Sequence, residues 1–402
     1  MSLRELLADL SSESLGQVEA RTAAAFDRIA APYADRVIVF GAGYLGNLAI
    51  SGLRAAGLEP VAICDNNQRL WDAQVEGVPV LSPATAAGRF KDSATFVVAI
   101  YNSTAPRNQL QQLGCARVAP YPLFFWKYWR FMPKEDRLEL PHRILARAGE
   151  MAAGYDLLSD DRSRREFCAQ IRWRCTLDDD CLPTPDNPRE MYFPTGLFRL
   201  LPEEVFVDCG AFDGDTIRSY LERADGRFGR IHALEADAGN VRALNRYRSE
   251  LVPDVAERIA VLPYAVAGQD GVVRFSAEGF KGSKVVETGA APVVECRSLD
   301  SALARARPTL IKMDIEGAEL EALAGARETM ARCRPVMAVC AYHKCDHLWI
   351  IPQLLKAGNP DYRIFLRRYA EACWETVYYA VPPERLAVSI PAHVDHSNVI
   401  RR

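Results

Sequence analysis

The chain has 402 residues, a formal net charge of −3 and 25% charged residues. This balance argues against a nucleic-acid binder, which usually carries a basic surplus on one face. The length exceeds one ordinary domain and fits two domains, or two and a connector. The charged N-terminus lacks the apolar core of a signal peptide, and no stretch is long enough to span a bilayer.

The eleven cysteines include no C-x-x-C pair, and their spacings fit no common zinc pattern. Several of them lie inside apolar, strand-like runs, where a free cysteine behaves as a small hydrophobic residue. We therefore predict a reducing compartment, the cytoplasm.

Residues 1–34 predict a helical lead-in, and residues 35–122 predict a small Rossmann-like α/β domain. The run RVIVF at 36–40 is typical of a buried parallel strand, and the glycine-rich GAGYLG at 41–46 leads from it into a helical pattern. Two further apolar runs, at 61–65 and 95–101, complete the strand–helix–strand alternation. Residues 123–202 lack that alternation, and we predict a helical connector or lid.

Strand-like runs resume in residues 203–402. They are predicted at 205–209, 231–235, 259–265, 310–313, 336–341, 362–366 and 376–381. Helical segments are expected between the first five, and a short polar stretch joins the last two as in an antiparallel hairpin. A mostly parallel seven-stranded sheet that closes in a hairpin is the layout of the class I methyltransferase fold, so the predicted class is α/β throughout.

The segment VFVDCGAFDGDT at 205–216 predicts a cofactor site. A buried strand leads into a glycine turn that opens a helix, so backbone amides face a ligand at close range. In a dinucleotide site this turn would hold pyrophosphate, which three nearby carboxylates would repel. A cationic ligand such as S-adenosylmethionine suits them better. The residues assigned to this site are Asp208, Gly210, Phe212, Asp213, Gly214, Asp215 and Thr216.

Two further strand ends extend the predicted cofactor site. Glu235 closes the second strand about twenty residues after the glycine turn, where an acid can accept both ribose hydroxyls. The alternative is that Glu235 only caps the next helix. Tyr264 and Ala265, at the end of the third strand, are assigned to the adenine ring, although a tyrosine there is more often a packing residue.

These residues resemble the FkbM family of methyltransferases over about 203–381. The resemblance rests on the glycine turn, Glu235, SLD at 298–300, LIKMDIEGAE at 310–319, LAGA at 323–326 and YHK at 342–344. It implies methylation of hydroxyls on sugars, glycans or natural products. The family's turn often has a small or amide residue at the place of Phe212, which we expect to reshape the pocket wall without abolishing binding.

The N-terminal α/β domain is similar to the Rossmann-like domain of bacterial sugar O-acyltransferases, through GAGYLG, CDNN at 64–67 and VEGVPVL at 75–81. The resemblance implies nucleotide-sugar binding, with Gly41, Gly43, Gly46 and Asp65 as the second nucleotide site. A lone G-x-G-x-x-G is weak evidence for a cofactor. A dinucleotide site and a purely structural domain therefore stay open.

Methyl transfer to a hydroxyl needs alignment of the acceptor oxygen and removal of its proton. His343 is the preferred base because an ordinary imidazole is neutral near pH 7. Asp314 and Glu316 are the alternatives, as bases or as groups that orient the acceptor, and each acid could instead cap the following helix. His343 and His347 follow different elements and need not converge, so no metal is predicted.

The sequence therefore predicts a cytoplasmic, bacterial O-methyltransferase of polysaccharide or natural-product biosynthesis. It would use S-adenosyl-L-methionine to methylate a small molecule, glycan or nucleotide sugar. No nucleic-acid partner is expected, and a homo-oligomer stays open. The rival functions are an NAD(P)-dependent nucleotide-sugar-modifying enzyme and a non-catalytic binding protein with a degenerate methyltransferase fold.

Overall fold

A computed structural model describes residues 2–133, 135–276, 284–285 and 292–387. The chain divides into two compact units. The first contains Leu3–Ala148 and Ala169–Leu182, and the second contains Gly149–Cys168 and the described residues from Pro183 onward. Within the described ranges, no helix combines the length and apolar character needed to cross a membrane.

The first unit is built on a six-stranded sheet with the order β3-β4-β2-β1-β5-β6, in which only the β3–β4 pairing is antiparallel. Its central strands are buried along their whole length, as expected for parallel strands covered on both faces. The predicted Rossmann-like strands at 36–40, 61–65 and 95–101 correspond to β1, β2 and β5. The six strands are β1 (Val37–Phe40), β2 (Ala62–Cys64), β3 (Gln74–Val75), β4 (Val78–Leu81), β5 (Thr95–Val98) and β6 (Val118–Pro120).

The helical lead-in packs into the core of the first unit. Helix α2 begins with a capping box formed by Ser14 and Gln17, and its Phe26 ring lies 5.8 Å from the ring of Phe124. The aromatic run at 124–129 thus belongs largely to this core. The helices of the unit are α1 (Leu3–Leu10), α2 (Leu15–Ala30), α3 (Tyr44–Ala55), α4 (Pro83–Phe90), α5 (Thr104–Gln112), α6 (Tyr121–Tyr128) and α7 (Pro141–Leu145).

The second unit contains the predicted seven-stranded sheet, with the order β16-β17-β15-β14-β7-β8-β9. Strand β17 runs antiparallel to both of its neighbours, and the pairings among β15, β14, β7, β8 and β9 are parallel. The class I methyltransferase fold and its closing hairpin are therefore confirmed. The strands are β7 (Val205–Cys209), β8 (Arg230–Leu234), β9 (Ile259–Leu262), β14 (Leu310–Met313), β15 (Val336–Cys340), β16 (Arg363–Arg368) and β17 (Thr376–Val381).

One expected helical segment of the second unit is wrong. Between β9 and β14 the chain forms a four-stranded sheet, and only a four-residue helix follows it. Alternating residues in this stretch favour half-exposed antiparallel strands over a helix. The sheet has the order β10-β13-β11-β12, with strands β10 (Ala265–Val266), β11 (Gly271–Ser276), β12 (Lys284–Val285) and β13 (Val293–Arg297).

The predicted connector at 123–202 is divided between the two units. Helix α8 (Ala148–Asp156) leads into the second unit, α9 (Asp161–Thr176) contributes residues to both, and prolines then keep the chain irregular up to β7. The boundaries between the four predicted regions stay predictions. The remaining helices are α10 (Asp215–Ala224), α11 (Ala238–Glu250), α12 (Pro253–Ala256), α13 (Leu299–Ala302), α14 (Glu319–Ala324), α15 (Arg327–Cys333) and α16 (His347–Gly358).

Part of this connector covers the outer edge of β16. The Ser159 amide donates to the Ile364 carbonyl at 2.8 Å, and the Leu366 amide donates to the Ser163 hydroxyl at 2.8 Å. The Arg367 guanidinium contacts Asp160 Oδ2 at 2.6 Å, which fixes the covering segment to the strand. The edge strand thus has hydrogen-bond partners on both sides.

The Asp160→Asn variant should lower the free energy of unfolding at pH 7 by about 1–3 kcal/mol, because it removes a charged partner of Arg367. Burial alone would raise the pKa of Asp160, but Arg367 and Ser163 lower it below its ordinary value. The stabilisation is therefore complete above the unfolded-state pKa and is lost as the pH falls through the folded-state pKa. Urea unfolding at neutral and acidic pH should show the two proteins converging on acidification.

Asp161→Asn is the matched control, since that carboxylate is 73% exposed and pairs with Arg164 on the helix surface. It should change the free energy of unfolding by less than about 0.5 kcal/mol. Equal effects of the two substitutions would refute the role given to Asp160.

Candidate active site

The glycine turn at 210–214 lies against the backbone that follows β14. Gly210 has φ +79°, and a Cβ there would stand 2.0 Å from the carbonyl oxygen of Asp314. Gly214 also has positive φ, +89°, and Phe212 adopts the left-handed region at +48°. The turn therefore requires glycine at 210, because the neighbouring loop occupies the space of a side chain.

A buried ion pair stands beneath this turn. Asp208 and Lys312 face each other in the register of β7 and β14, with Oδ1 and Nζ 3.0 Å apart and both side chains almost fully buried. Lys312 also donates to the Gly210 carbonyl at 2.8 Å. Burial raises the pKa of Asp208 to about 6, against the opposing effect of Lys312. Lys312 thus ties the turn to β14, a role signalled in the sequence only by a lysine inside an apolar strand.

The turn carries less uncompensated negative charge than its sequence indicates. Asp208 faces Lys312, and Asp213 accepts a hydrogen bond from Arg218 at 2.7 Å. Asp215 accepts from the Thr216 amide at 2.7 Å at the start of α10. The number of carboxylates near the turn is therefore weaker evidence for a cationic cofactor, as opposed to a phosphate, than the sequence alone suggests.

Glu235 connects the end of β8 to the turn. Its Oε2 accepts from the Phe212 amide at 2.9 Å, and its Oε1 accepts from the Asp237 amide at 2.7 Å. The helix-capping alternative applies to Asp237, which caps α11 through the amides of Gly239 and Asn240. The Asn240 side chain also donates to Glu235. A carboxylate has about four acceptor sites, so one is left for a ligand hydroxyl.

Tyr264 and Ala265 lie just beyond β9, which ends at Leu262, and not within it. Both residues are buried, and Ala265 begins β10 of the smaller sheet. The Arg297 guanidinium lies 5.1 Å from the centroid of the Tyr264 ring. Their assignment to an adenine ring stays a prediction.

A cluster of carboxylates surrounds His343 where β14 and β15 end. Nδ1 of His343 lies 2.8 Å from Glu319 Oε1, and Nε2 lies 3.4 Å from Asp314 Oδ1 and 3.6 Å from Glu316 Oε2. The structure thus brings together all three residues predicted for catalysis. Among the described residues, Asp314, Glu319 and His343 have ligand atoms close enough to hold a metal ion.

Three further residues contribute to this cluster and were not predicted from the sequence. The hydroxyls of Tyr192 and Tyr342 donate to Asp314 at 2.9 and 3.2 Å, and Glu319 accepts the amide of Ile315 at 3.0 Å. Glu319 lies within the LIKMDIEGAE segment, so the resemblance to the family could have identified it as a site residue. Tyr192 precedes the sheet by a long loop and carries no pattern that would have identified it.

The electrostatics of His343 differ from those assumed for a general base. Burial alone would lower its pKa, but the carboxylates of Glu319, Asp314 and Glu316 raise it to about 9. Burial alone would raise the pKa of Glu319, but His343 and His347 outweigh this effect and lower the pKa to about 2. In this arrangement His343 holds a proton at neutral pH and cannot accept another.

The two histidines do converge. His347 Nδ1 lies 3.3 Å from Glu319 Oε2, so both imidazoles face the same buried carboxylate. They come together because helix α16 begins at His347, only four residues after His343, and packs against α14.

The first unit holds its own glycine turn by a similar contact. Asp65 Oδ2 accepts from the Ala42 amide at 2.8 Å, as Glu235 accepts from Phe212. Gly41 has φ +108°, and a Cβ on Gly46 would stand 2.0 Å from the Gly41 carbonyl oxygen. A Cβ on Gly43 would meet open space. Tight packing therefore explains Gly41 and Gly46, whereas Gly43 leaves room for a ligand.

Residues 208–360 match the methyltransferase FkbM domain. The solved structure of a methyltransferase FkbM from Methylobacillus flagellatus KT is 22% identical, with a TM-score of 0.72, over 94% of this chain and 98% of that one. At this identity the likeness shows the fold. No curated protein matches the chain.

Two other solved structures are more distant. A methyltransferase from Geobacter sulfurreducens is 13% identical over 60% of this chain and 96% of its own, with a TM-score of 0.31. A precorrin-6y C5,15-methyltransferase from Geobacter metallireducens is 14% identical over 46% and 81%, with a TM-score of 0.27. These scores are too low to support an argument about this chain.

The close approach of the Asp314 carbonyl to Gly210 predicts that adding one methyl group at this position destabilises the protein. Gly210→Ala should lower the free energy of unfolding by at least about 2 kcal/mol, because the Asp314 carbonyl must shift and φ is left-handed. Gly226→Ala is the control: its φ is +73°, but its Cβ would meet open space. Gly226→Ala should lower the free energy of unfolding by about 1 kcal/mol. If urea unfolding shows the same loss for both variants, the close packing at Gly210 is contradicted.

Proposed function

We propose, from the membership of residues 208–360 in the methyltransferase FkbM domain family, that the chain is an S-adenosylmethionine-dependent O-methyltransferase. The observation that carries this proposal is the joining of a glycine turn, a strand-end acid and an acidic cluster at one edge of a class I methyltransferase sheet.

The residues at the turn fit the cofactor. When bound, S-adenosylmethionine supplies a methyl group on a cationic sulfur. The turn would hold it through Asp208, Gly210, Phe212, Asp213, Gly214, Asp215 and Thr216, with Glu235 accepting ribose hydroxyls and Tyr264 and Ala265 beside the adenine. Two features support this fit: the Glu235 carboxylate retains acceptor capacity beside the turn, and Gly210 and Gly214 allow the backbone to bend sharply there.

The acidic cluster would bind and orient the acceptor hydroxyl. The side chains of Asp314 and Glu316 are 24% and 23% exposed, whereas that of His343 is 1% exposed. A hydroxyl entering from solvent would therefore meet the carboxylates first. We assign Asp314 and Glu316 to accepting its proton or holding its oxygen, and we assign His343 to positioning both acids.

The family resemblance favours a hydroxyl on a sugar, nucleotide sugar, glycan or natural product as the acceptor. The open space at Gly43 and the contact of Asp65 with the turn amide favour a second nucleotide site in the first unit, formed by Gly41, Gly43, Gly46 and Asp65. We propose that this site binds a nucleotide sugar. The eleven free thiols are in keeping with the proposed cytoplasmic location.

Calorimetric titration with S-adenosylhomocysteine tests the cofactor site. The wild type should bind with micromolar affinity, and Glu235→Ala should weaken binding by roughly 10–100-fold, because hydrogen bonds to a charged group are lost. Asp65→Ala is the matched control, since it removes the corresponding acid from the other glycine turn. It should leave the affinity unchanged.

Thermal unfolding of each variant must first show an intact fold, because Glu235 also holds the Phe212 amide. Absence of binding by a folded wild type, freed of co-purified ligand, would overturn the proposal. If NADH binds instead and Asp65→Ala abolishes that binding, the oxidoreductase alternative is favoured. Transfer of labelled methyl groups to a panel of nucleotide sugars then identifies the acceptor.

A further inference from the structure

We propose that Asp314, Glu316 and His343 form a binding site for a divalent transition-metal cation. The three ligand atoms would be Asp314 Oδ1, Glu316 Oε2 and His343 Nε2, with Glu319 supporting the imidazole from behind. The site itself is independent of the proposed function. Its use in holding an acceptor oxygen rests on that function.

The distances from His343 Nε2 to the two carboxylate oxygens are close to those between ligands of one ion. Nε2 lies 3.4 Å from Asp314 Oδ1 and 3.6 Å from Glu316 Oε2. Ligands about 2.1 Å from one metal stand roughly 3.0–3.4 Å apart, depending on the coordination angle. Each carboxylate would therefore need to move only slightly toward Nε2 to share an ion with the imidazole.

The buried imidazole lacks a hydrogen bond on the side that faces the carboxylates. Among the described residues, no group makes a hydrogen bond of good geometry with His343 Nε2, although this side chain is 1% exposed. A buried polar atom left in this state costs free energy. A cation between Nε2 and the two carboxylates would give this nitrogen a partner.

The opposite side of the ring is held as in known metal sites. Glu319 Oε1 lies 2.8 Å from Nδ1 and holds the proton on that nitrogen. A cation that displaces the proton from Nε2 would therefore meet a lone pair on the side of Asp314 and Glu316. A carboxylate behind a ligating histidine fixes its tautomer and orientation. The Tyr192 and Tyr342 hydroxyls likewise hold the Asp314 carboxylate in place.

Charge favours a doubly positive occupant. Asp314, Glu316 and Glu319 bring three carboxylates around one imidazole. Lys312 lowers the pKa of Asp314, but its ammonium group is in direct contact with Asp208. Two carboxylate oxygens and one imidazole nitrogen suit Mn²⁺ or Zn²⁺. The partial exposure of Asp314 and Glu316 gives such an ion a route of entry and leaves room for further oxygen ligands.

The position of the site would make the cation useful to the proposed reaction. The Asp314 amide donates to the Cys209 carbonyl at 3.1 Å, and the Asp314 carbonyl lies against Gly210. The ion would therefore stand beside the glycine turn proposed to hold the cofactor. A metal-bound hydroxyl loses its proton more readily than a free one, which is the help that a weakly acidic sugar hydroxyl needs.

Mn²⁺ titration of the full chain after chelator treatment tests the site. Electron paramagnetic resonance of the unbound ion, together with calorimetry, should show about one Mn²⁺ per chain with micromolar affinity, displaced by Zn²⁺. Asp314→Asn and Glu316→Gln should each weaken binding by at least about tenfold. Both substitutions preserve shape at partly exposed positions, so they retain the fold better than removal of His343.

Asp178→Asn/Asp180→Asn is the matched control for general attraction of cations to acids, because these residues stand in an exposed acidic turn of the first unit. It should bind Mn²⁺ as the wild type does. The proposal is overturned if neither Mn²⁺ nor Zn²⁺ binds stoichiometrically, or if Asp314→Asn and Glu316→Gln bind as tightly as the control. S-adenosylhomocysteine titration of the metal-free protein separates the two proposals, because it reports on the glycine turn alone.

Discussion

The Nζ of Lys312 lies 3.0 Å from Asp208 Oδ1 between two neighbouring strands that exclude solvent from both side chains. A buried pair of this kind gains little net stability over an apolar pair, but an error in strand register would leave two unpaired charges inside the sheet, which is costly. The same ammonium group also holds the Gly210 carbonyl. One contact therefore sets the register of β7 and β14 and places the glycine turn beside Asp314.

Much of the fold could be predicted because its signals are local. Apolar runs such as 205–209 and 336–341 identify buried parallel strands without any knowledge of their neighbours. The stretch between β9 and β14 failed because alternating half-exposed strands are easily confused with connecting helices when only short segments are considered. The extra sheet is held by pairings such as Val272 with Glu295, which join residues far apart in the chain.

The candidate site was predictable in its members but not in its electrostatics. Asp314, Glu316 and His343 follow strands whose carboxyl ends share one edge, so their proximity could be inferred from the topology. The state of His343 could not, because it depends on Glu319 folding back from α14 and on Tyr192 arriving from outside the sheet. An ordinary solution pKa was the wrong reference for an imidazole enclosed by three acids.

The covering of β16 has a consequence for self-association. Along its outer side the amide of Ile364 donates to the Ser159 hydroxyl, that of Leu366 donates to the Ser163 hydroxyl, and the carbonyl of Arg368 accepts the Asp186 amide. These backbone groups are the ones that a strand from a second molecule would use to extend the sheet. A continuous intermolecular sheet is thus blocked at this edge, and a homo-oligomer would have to assemble through another part of the chain.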